Sequence, residues 1–236
     1  MIIAAIMAGG IGSRMGSSAM PKQYLPLGGK PILLHTVEKF LVHPQVEHVA
    51  VLTPRSWISH TKDILKNSAA QVIEGGETRN DTLWNALRYT EEAFGGEDDH
   101  ILITHDAVRP FVTHRIISEN IESAQKYGAC DTVIPATDTI VESRAGTLIS
   151  GIPERKTMFQ GQTPQSFRTR KLRALMERLS EEESAILTDA CKIFVMRGEP
   201  VAMVTGETHN IKITYPYDLK VAQALLGLDP AEGGAL

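Results

Sequence analysis

The sequence contains only two cysteines, Cys130 and Cys191, and they are not spaced like the ligands of a metal site. Two isolated cysteines in a chain of 236 residues are typical of buried free thiols in a reducing compartment. No uninterrupted apolar run is long enough to cross a bilayer. The N-terminus enters an apolar segment directly, without the basic region of a secretory signal. We therefore expect a cytoplasmic protein that makes no contact with a membrane.

Positive charge is not in excess either. The formal net charge of −4 argues against a nucleic acid as partner, because proteins that bind nucleic acids usually present a basic face. An apolar content of 42% and a charged content of 22% are ordinary for a globular protein, and the length allows a substantial core. A local group of cations in this chain therefore indicates a site and not a basic surface.

A glycine-rich loop dominates the N-terminal region, at residues 7–23 with the sequence MAGGIGSRMGSSAMPKQ. It follows a short apolar run at residues 2–6, which has the composition of a buried parallel strand. Gly9, Gly10 and Gly12 have no side chains, so the backbone can adopt positive φ and its N–H groups can converge on phosphate oxygens. The loop is therefore predicted to hold a phosphate chain.

Arg14 and Lys22 add two positive charges to this loop, which suggests a polyphosphate whose charge increases during a reaction. The loop is not a P-loop, because no glycine-lysine-serine or glycine-lysine-threonine triplet closes it. It fits the dinucleotide fingerprint badly, because Gly16 comes one residue late and Pro21 interrupts the chain where a helix would already run. From the loop alone, a surface turn with two solvated charges is the alternative.

Strand-like and helix-like segments alternate along the first half of the chain. Short apolar runs such as residues 48–53 and 100–104 predict strands, and the amphipathic stretches between them predict helices. This alternation predicts an α/β fold with a mostly parallel sheet flanked by helices. Because sites in such folds lie beyond the carboxyl ends of the strands, residues 7–22, 75–82 and 105–110 are expected to meet on one rim.

The second half contains a predicted hairpin. Residues 139–143 and 147–152 are β-prone runs on either side of a turn. We expect this β-arm, at about residues 137–153, to project and to join two copies of the chain, with a solvent-exposed flap as the alternative. The chain is predicted to form a single domain at residues 1–228, followed by a flexible tail at residues 229–236.

Several polar residues at the expected rim suggest chemistry. Asp106 follows an apolar strand and faces the phosphate loop, where a magnesium ligand is expected; a turn cap is the alternative. We expect Arg109 to brace the backbone. Residues 75–82 contain glycines and Thr82, which suit a nucleobase and ribose and equally a capped helix start. Lys212 is a third candidate cation.

Arg155, Thr163 and Thr188 are further candidates, each of which taken singly is more typical of a surface charge or a cap. Thr188 begins a predicted helix whose N-terminus could hold an anion.

Six motifs, in order, resemble the sugar-phosphate cytidylyltransferases over nearly the whole chain. They are AGG-x-G-x-R-M…PKQ, GG-x-x-R-x-x-T, HDA-x-RP, TPQ, TDA and NIKIT. The family includes enzymes that act on 2-C-methylerythritol 4-phosphate and on ribitol 5-phosphate. The resemblance implies a Rossmann-like nucleotidyltransferase fold, CTP as the donor substrate, Mg²⁺ as the cofactor, and a homodimer joined by the β-arm. It leaves open whether a reductase partner supplies the polyol phosphate.

The resemblance also implies roles for the matching residues. Arg14 and Lys22 would stabilise the charge that develops on the α-phosphate and pyrophosphate, and Asp106 would serve magnesium. Arg155 and Lys212 would position the acceptor phosphate, with Arg155 reaching across from the dimer partner. The implied CTP contacts are Met7, Ala8, Gly9, Gly10, Gly76, Glu77, Thr78, Arg79, Asn80, Asp81, Thr82 and Ala107. The implied acceptor contacts are Arg155, Thr163, Thr188 and Lys212.

The wording of three motifs favours one acceptor. Met20 before the Pro21-Lys22 pair, residues 160–163 and the segment LTDACKIF look more like the ribitol branch. The methylerythritol branch typically carries an acidic residue where this chain has Ala190. We therefore expect transfer of CMP to D-ribitol 5-phosphate, which gives CDP-ribitol for teichoic acid biosynthesis in the cell wall. The alternative acceptor is 2-C-methyl-D-erythritol 4-phosphate, in isoprenoid biosynthesis.

Two other classes of protein are alternatives to a cytidylyltransferase. A nucleotide-binding regulatory subunit would be expected to lack a loop cation or the aspartate, but Arg14, Lys22 and Asp106 are all present. A dehydrogenase would need an acidic residue at the end of the second strand, where this chain has residues 53–55, Thr-Pro-Arg.

Overall fold

A computed structural model describes residues 1–10, 20–96, 98–187 and 189–227 of the chain. The strands among these residues are, in chain order, β1 (Ile2–Met7), β2 (Pro26–Leu27), β3 (Lys30–Pro31), β4 (His48–Thr53), β5 (Gln71–Glu74), β6 (Ile101–Asp106), β7 (Ala129–Pro135), β8 (Phe159–Arg168) and β9 (Ala202–Thr205). The α-helices are α1 (Ile32–Leu41), α2 (Ile58–Leu65), α3 (Arg79–Phe94), α4 (His114–Tyr127), α5 (Thr169–Met176), α6 (Glu181–Ile186), α7 (Ala190–Met196) and α8 (Pro216–Gly227).

Seven strands form one sheet in the order β5-β4-β1-β6-β8-β7-β9. The pairs β5-β4, β4-β1, β1-β6 and β7-β9 are parallel, while β8 runs antiparallel to both of its neighbours. The predicted α/β fold with a mostly parallel sheet flanked by helices is therefore confirmed. The antiparallel strand was not predicted, because a strand's direction depends on the connection that precedes it and not on its own apolar pattern.

Strand β1 shows how the sheet divides the core into two layers. Ala4 and Ile6 face one side, where they pack with α1, α2 and α4, while Ile3 and Ala5 face the other side, with α3, α5 and α7. Alternate residues of a strand point to opposite faces, so a strand that is apolar throughout is buried on both. The helices thus enclose both faces and leave the ends of the strands as the accessible edge.

The predicted β-arm is only partly regular. Glu142 and Gly151 form an isolated antiparallel bridge in the arm, with Glu142 N donating to Gly151 O at 2.8 Å and Ser150 N donating to Glu142 O at 2.8 Å. The expectation of two strands was therefore wrong. A two-stranded ribbon without a core to pack against is marginal in water, and the side chain of Leu148 near its tip is 78% exposed.

The helix α6 and the short β2-β3 pair were not predicted, since both are short and their apolar residues do not repeat. The predicted tail at residues 229–236 and the loop segment 11–19 lie outside the described residues. No helix in the described part of the chain is long and apolar enough to span a membrane.

Candidate active site

A cavity of about 330 Å³ opens at the carboxyl ends of β1, β5 and β6. Its walls come from the three segments expected on one rim, together with the segment after β9. The described lining residues are Met7, Ala8, Gly9, Gly10, Lys22, Gln23, Gly76, Glu77, Thr78, Arg79, Thr82, Asp106, Ala107, Val108 and Lys212. Most of the implied CTP contacts therefore surround one cavity of a size suited to a small molecule.

The end of β1 is held rigidly at the cavity. Ala8 N donates to Leu52 O at 2.8 Å, and the buried Gln23 donates from Nε2 to Ala8 O at 2.7 Å. Gly9 and Gly10 do not have the positive φ that the sequence suggested. A Cβ added at Gly10 would meet no described atom within 4 Å, so this glycine leaves open space where the chain borders the cavity.

Gly76 is required by a close approach of two backbone segments. A Cβ at this position would lie 2.0 Å from the Cβ of Asp81 and 2.7 Å from the backbone N of Thr82, so a side chain cannot fit. The approach brings the loop after β5 against the first turn of α3. The N-terminus of this helix, with its partial positive charge, therefore lies at the cavity wall.

The start of α3 is stabilised by a capping box. The Thr78 side chain accepts from Asp81 N at 3.1 Å, and Asp81 Oδ2 accepts from Thr78 N at 2.9 Å. Thr82 Oγ1 accepts from Gly76 N at 3.0 Å and donates to Thr78 O at 2.9 Å. The hydroxyl of Thr82 thus fixes the loop, which leaves it little capacity to bind a base edge as the sequence suggested.

Asn80 and Asp81 are not among the described residues that line the cavity. Asn80 is buried and donates from Nδ2 to Ser184 O at 2.9 Å, and Asp81 belongs to the capping box. Both side chains therefore support the loop, and the wall that faces the cavity is formed by Gly76, Glu77 and Thr78 together with Arg79.

Asp106, the last residue of β6, is the centre of the charged part of the cavity. Its Oδ1 lies 3.1 Å from Arg79 Nη1, and its Oδ2 lies 3.3 Å from Arg109 Nε and 3.0 Å from Lys212 Nζ. One buried carboxylate therefore holds three cations that are far from one another in the sequence, although Arg109 is close to Asp106 itself.

The ionisation of Asp106 follows from these neighbours. Burial disfavours the charged form, but the positive charges of Lys212, Arg79 and Arg109 outweigh it and hold the pKa of Asp106 well below its usual range. The residue is therefore a carboxylate under all ordinary conditions, and it fixes the positions of its partners.

A buried network beneath Asp106 sets the position of its backbone. Asp106 N donates to Thr163 Oγ1 at 3.1 Å, and Thr163 Oγ1 lies 3.1 Å from His105 Nδ1. His105 Nε2 lies 3.0 Å from Arg109 O. Burial lowers the pKa of His105 to about 4, and a neutral ring that donates from Nε2 and accepts at Nδ1 satisfies every bond.

Arg109 is structural, as the sequence suggested. It is buried, and its Nη1 donates to Asn210 O at 2.8 Å, while Asn210 Nδ2 donates to Thr163 O at 2.9 Å. Thr163, which the resemblance assigned to the acceptor, lies beneath Asp106 and is not among the described residues lining the cavity. Its hydroxyl is engaged by Asp106 N and His105.

The other implied site residues are placed unequally. Lys22 lies in a 3₁₀ turn at Lys22–Tyr24 and lines the cavity, although its side chain is largely buried. Arg155 is exposed just after the arm, donates from Nη1 to Thr137 O at 3.1 Å, and does not line the described cavity of its own chain. Arg14 and Thr188 lie outside the described residues.

Sequence reasoning missed several supporting residues, namely Gln23, His105 and Asn210. The PKQ motif contains Gln23 and NIKIT contains Asn210, so both stood within segments already singled out. Nothing in the sequence shows that they bond Ala8 O and Thr163 O, because those contacts join residues far apart in the chain.

The fold and this cavity define a nucleotidyltransferase of the Rossmann-like α/β class. The chain matches, over residues 2–228, the family model described as IspD, 2-C-methyl-D-erythritol 4-phosphate cytidylyltransferase. The chain therefore belongs to this family and is an enzyme of the cytidylyltransferase type, as the six motifs indicated.

Solved structures of the same family have the same fold. The synthase of 4-diphosphocytidyl-2C-methyl-D-erythritol from Anaerococcus prevotii is 26% identical, with a TM-score of 0.80 and 96% of each chain covered. The 2-C-methyl-D-erythritol 4-phosphate cytidylyltransferase from Francisella tularensis is 28% identical, with a TM-score of 0.79, and covers 94% of this chain and 98% of its own. The enzyme from Thermus thermophilus is 27% identical, with a TM-score of 0.73, and covers 97% and 98%.

These comparisons do not support the expected preference for ribitol 5-phosphate. The matching family and the similar structures are named for the methylerythritol acceptor, so the alternative acceptor fits them better.

Proposed function

We propose that this protein transfers CMP from CTP to the phosphate of a short polyol phosphate and releases pyrophosphate. The observation that carries the proposal is the cavity in which Asp106 gathers Arg79 and Lys212 opposite the glycine-bearing end of β1. Arg79, Lys212 and Arg109 together place three positive charges around one carboxylate. The site therefore has an excess of positive charge, which suits a triphosphate.

The reaction needs no nucleophile from the protein. An oxygen of the acceptor phosphate attacks the α-phosphorus of CTP, a new P–O bond forms, and the bond to the leaving pyrophosphate breaks and gives it the electron pair. The acceptor phosphate is already ionised near neutral pH. The protein therefore contributes by holding the two substrates in line and by placing cations where charge develops.

The described residues suggest how CTP lies in the cavity. The phosphates would lie against Ala8, Gly9 and Gly10 and would be neutralised by Lys22. The resemblance assigns the same role to Arg14, which is outside the described residues. The cytosine and ribose would lie against the loop after β5, where Gly76 permits close approach. Lys212 and Arg155 would then position the acceptor phosphate.

Magnesium fits this donor set only together with the nucleotide. Both oxygens of Asp106 already lie in ion pairs, so the carboxylate is not a cation site by itself. Magnesium in nucleotide sites is commonly held by one or two carboxylates together with substrate phosphates, and Asp106 could hold an ion that arrives with CTP. The ion would neutralise charge on the phosphates. Arg79 and Lys212 would turn from Asp106 toward phosphate oxygens.

We also propose that two copies of the chain associate through the arm. Leu148, Ile149 and Ile152 each expose well over half of their side chains, which is unusual for three neighbouring apolar residues. Arg155 lies at the base of this arm and does not line the described cavity of its own chain. Association would bury the apolar side chains and bring Arg155 toward the partner's acceptor site.

For the acceptor, 2-C-methyl-D-erythritol 4-phosphate is favoured by the comparisons. Ribitol 5-phosphate is the second candidate, because this chain has Ala190 where the methylerythritol branch typically has an acidic residue. A polar cluster of Asp131, Gln165 and Asp189 near Asp106 also suits an acceptor rich in hydroxyl groups. Pyrophosphate release with CTP and Mg²⁺ would be measured with each acceptor. Turnover with either supports the proposed reaction, and the ratio of kcat/KM assigns the acceptor. CTP binding without turnover on either would refute the proposed reaction.

A further inference from the structure

A second polar cluster lies beside the charged cavity and has no part in the reaction as described so far. Gln165 donates from Nε2 to Asp131 Oδ1 at 3.0 Å and to Asp189 Oδ2 at 2.7 Å. Asp189 also caps α7 by accepting from Cys191 N at 2.8 Å. Two carboxylates thus share one amide donor, and each keeps acceptor capacity that the shared bond does not use.

The side-chain oxygen of Gln165 has no described hydrogen-bond donor. The side chain of Gln165 is 1% exposed and enters the cluster, and its Oε1 is also buried. A buried acceptor without a donor costs free energy, so such an atom calls for an explanation. A hydroxyl group bound beside it would supply the missing donor.

The cluster is on the same face of the sheet as Asp106. Gln165 pairs with Thr104 across β6 and with Asp131 across β7, so these three residues form one row. Asp106 lies two residues beyond Thr104 and therefore points to the same face. From the spacing of strands, the backbone positions of Asp106 and Asp131 are on the order of 10 Å apart.

The cluster is open to solvent on one side. Asp131 and Asp189 are both partly exposed, in contrast to the buried Gln165. A Cβ added at Gly161 would lie 3.6 Å from Asp131 Oδ2, so the missing side chain leaves room beside that oxygen. A ligand can therefore reach the carboxylates from the direction of the strand ends.

The donor set does not suit a metal ion, although ligand atoms of Asp131, Asp189 and Cys191 lie within 4.8 Å of one another. The amide of Gln165 aims its N–H groups between the carboxylates, where a cation would be repelled. Burial raises the pKa of the Cys191 thiol well above its ordinary value, so the thiol keeps its proton. Burial likewise raises the pKa of Asp131 to about 7.

We propose that Asp131, Gln165 and Asp189 bind the hydroxyl groups at the end of the acceptor that is remote from its phosphate. The inference rests on the proposed reaction, in which the acceptor phosphate lies near Lys212 and Asp106. Carboxylate and amide groups are suited to hydroxyl donors and repel a phosphate, so they fix the direction in which the acceptor lies. The cluster also selects against an acceptor that would place a methyl group beside Gln165 Oε1, because this buried oxygen would then stay without a hydrogen-bond donor.

The test combines steady-state kinetics with calorimetry on the full chain. Asp131→Ala and Asp131→Asn are compared with wild type, and Asp63→Ala, an exposed aspartate on α2, is the control. Asp189→Asn is the second variant, because asparagine is an equally good N-cap and keeps α7 in place. Ribitol 5-phosphate and 2-C-methylerythritol 4-phosphate are the acceptors, and their binding is also measured with a CTP analogue whose α,β-bridge is methylene.

We expect Asp131→Ala to raise the KM of the acceptor by about tenfold to a hundredfold, the range for losing a hydrogen bond to a charged group, while the KM of CTP changes less than twofold. Asp131→Asn should recover part of the loss, and the penalty should be larger for ribitol 5-phosphate, which is one carbon longer and has about one hydroxyl more than 2-C-methylerythritol 4-phosphate to offer to the cluster. Asp189→Asn should raise the acceptor KM, and because it keeps the cap of α7 and loses only the bond from Gln165, its Tm should fall no more than that of Asp131→Asn.

Three results would overturn the inference. Identical acceptor KM and acceptor binding in Asp131→Ala and wild type, with turnover intact, would refute the proposed role of the cluster and leave the proposed reaction standing. Zn²⁺ bound by wild type and lost in Asp131→Ala would assign the cluster to a metal. Failure of wild type to bind either acceptor refutes both proposals, whereas Asp131-dependent binding without pyrophosphate release refutes the reaction only.

Discussion

Replacing Asp106 by asparagine is expected to destabilise the protein more than any loss of a surface ion pair. The substitution keeps the shape of the side chain and removes its charge, so Arg79, Arg109 and Lys212 lose their common counterion. Like charges held a few ångströms apart then repel each other, and Arg109, which is buried, has no other described carboxylate within ion-pair distance.

The magnitude follows from the buried part of the network. Breaking a buried ion pair by removing one partner costs about 3–5 kcal/mol, and asparagine retains part of the hydrogen bonding, so we expect about 3 kcal/mol from Asp106 and Arg109. Lys212 is 40% exposed and Arg79 nearly a third, so solvent screens their share and we add nothing for them. For a protein of this size the loss corresponds to a fall in Tm of about 6–12 °C.

The assay is thermal and urea unfolding of wild type, Asp106→Asn and the control Asp99→Asn. Asp99 pairs with Arg168 at 3.0 Å on the surface, so its loss should cost less than about 1 kcal/mol. Pyrophosphate should raise the Tm of Asp106→Asn more than that of wild type, because it replaces the missing negative charge. Equal Tm values for Asp106→Asn and Asp99→Asn would refute the idea that Asp106 holds the three cations.

The pH dependence of this effect has a definite sign. The folded-state pKa of Asp106 lies below its unfolded value, which is about 3.9. Its stabilisation is therefore fully present above about pH 5 and is lost only as the pH falls below the unfolded value. The difference between wild type and Asp106→Asn should be constant from pH 5 to 8.

Three further predictions concern single sites. Gly76→Ala should lower Tm by several degrees, because the added Cβ would lie 2.0 Å from that of Asp81. Gly10→Ala, whose Cβ would meet no described atom within 4 Å, should leave Tm unchanged. Equal Tm losses for the two variants would contradict this account. Lys22→Ala should lower kcat by about 10²–10³-fold with little change in the KM of CTP, the pattern for a charge that acts in the transition state; equal losses in binding and turnover would show ground-state binding only. The pKa of His105 is lowered to about 4, so the unfolded chain gains a proton between pH 6.5 and 4 that the folded chain does not. The free energy of unfolding of wild type relative to His105→Asn should therefore fall by about 3 kcal/mol across that window, because groups common to both proteins, such as Asp131, cancel in the difference. Urea unfolding at each pH measures this difference, and a difference that does not change with pH would refute it.

The sequence predicted the layered fold because the fold depends on local periodicity. The run predicted at residues 48–53 matches β4 to the residue, and the run predicted at residues 100–104 differs from β6, Ile101–Asp106, by a residue or two at each end. The rim was predictable for the same reason, since parallel strands all present their carboxyl ends on one side. The two regular strands expected in the arm were mispredicted because its β-prone runs lie exposed, with little to pack against, and exposure of this kind is evident only in the tertiary structure.

The roles of individual side chains were less predictable. Thr82 and Thr163 have the chemistry of ligands, yet their hydroxyls are engaged by Gly76 N and Asp106 N. Asp131 gave no signal, because its partner Gln165 is 34 residues away in the chain and Asp189 is 24 residues beyond Gln165. Sequence reasoning identifies which residues are able to bind, and packing decides which of them are free to do so.

The position of Asp106 explains why the cations are in place before the nucleotide arrives. It ends the fully buried strand β6, and Thr163 fixes its backbone N–H, so the carboxylate is held by the core of the sheet. Asp106 keeps Arg79 and Lys212 near the cavity, so these side chains do not have to be brought there in each reaction cycle. A charge that is already close to its place stabilises a transition state more than a mobile one. A triphosphate, with more negative charge than one carboxylate, would compete with Asp106 for these cations, and Asp106 would then be able to hold a magnesium ion that arrives with CTP.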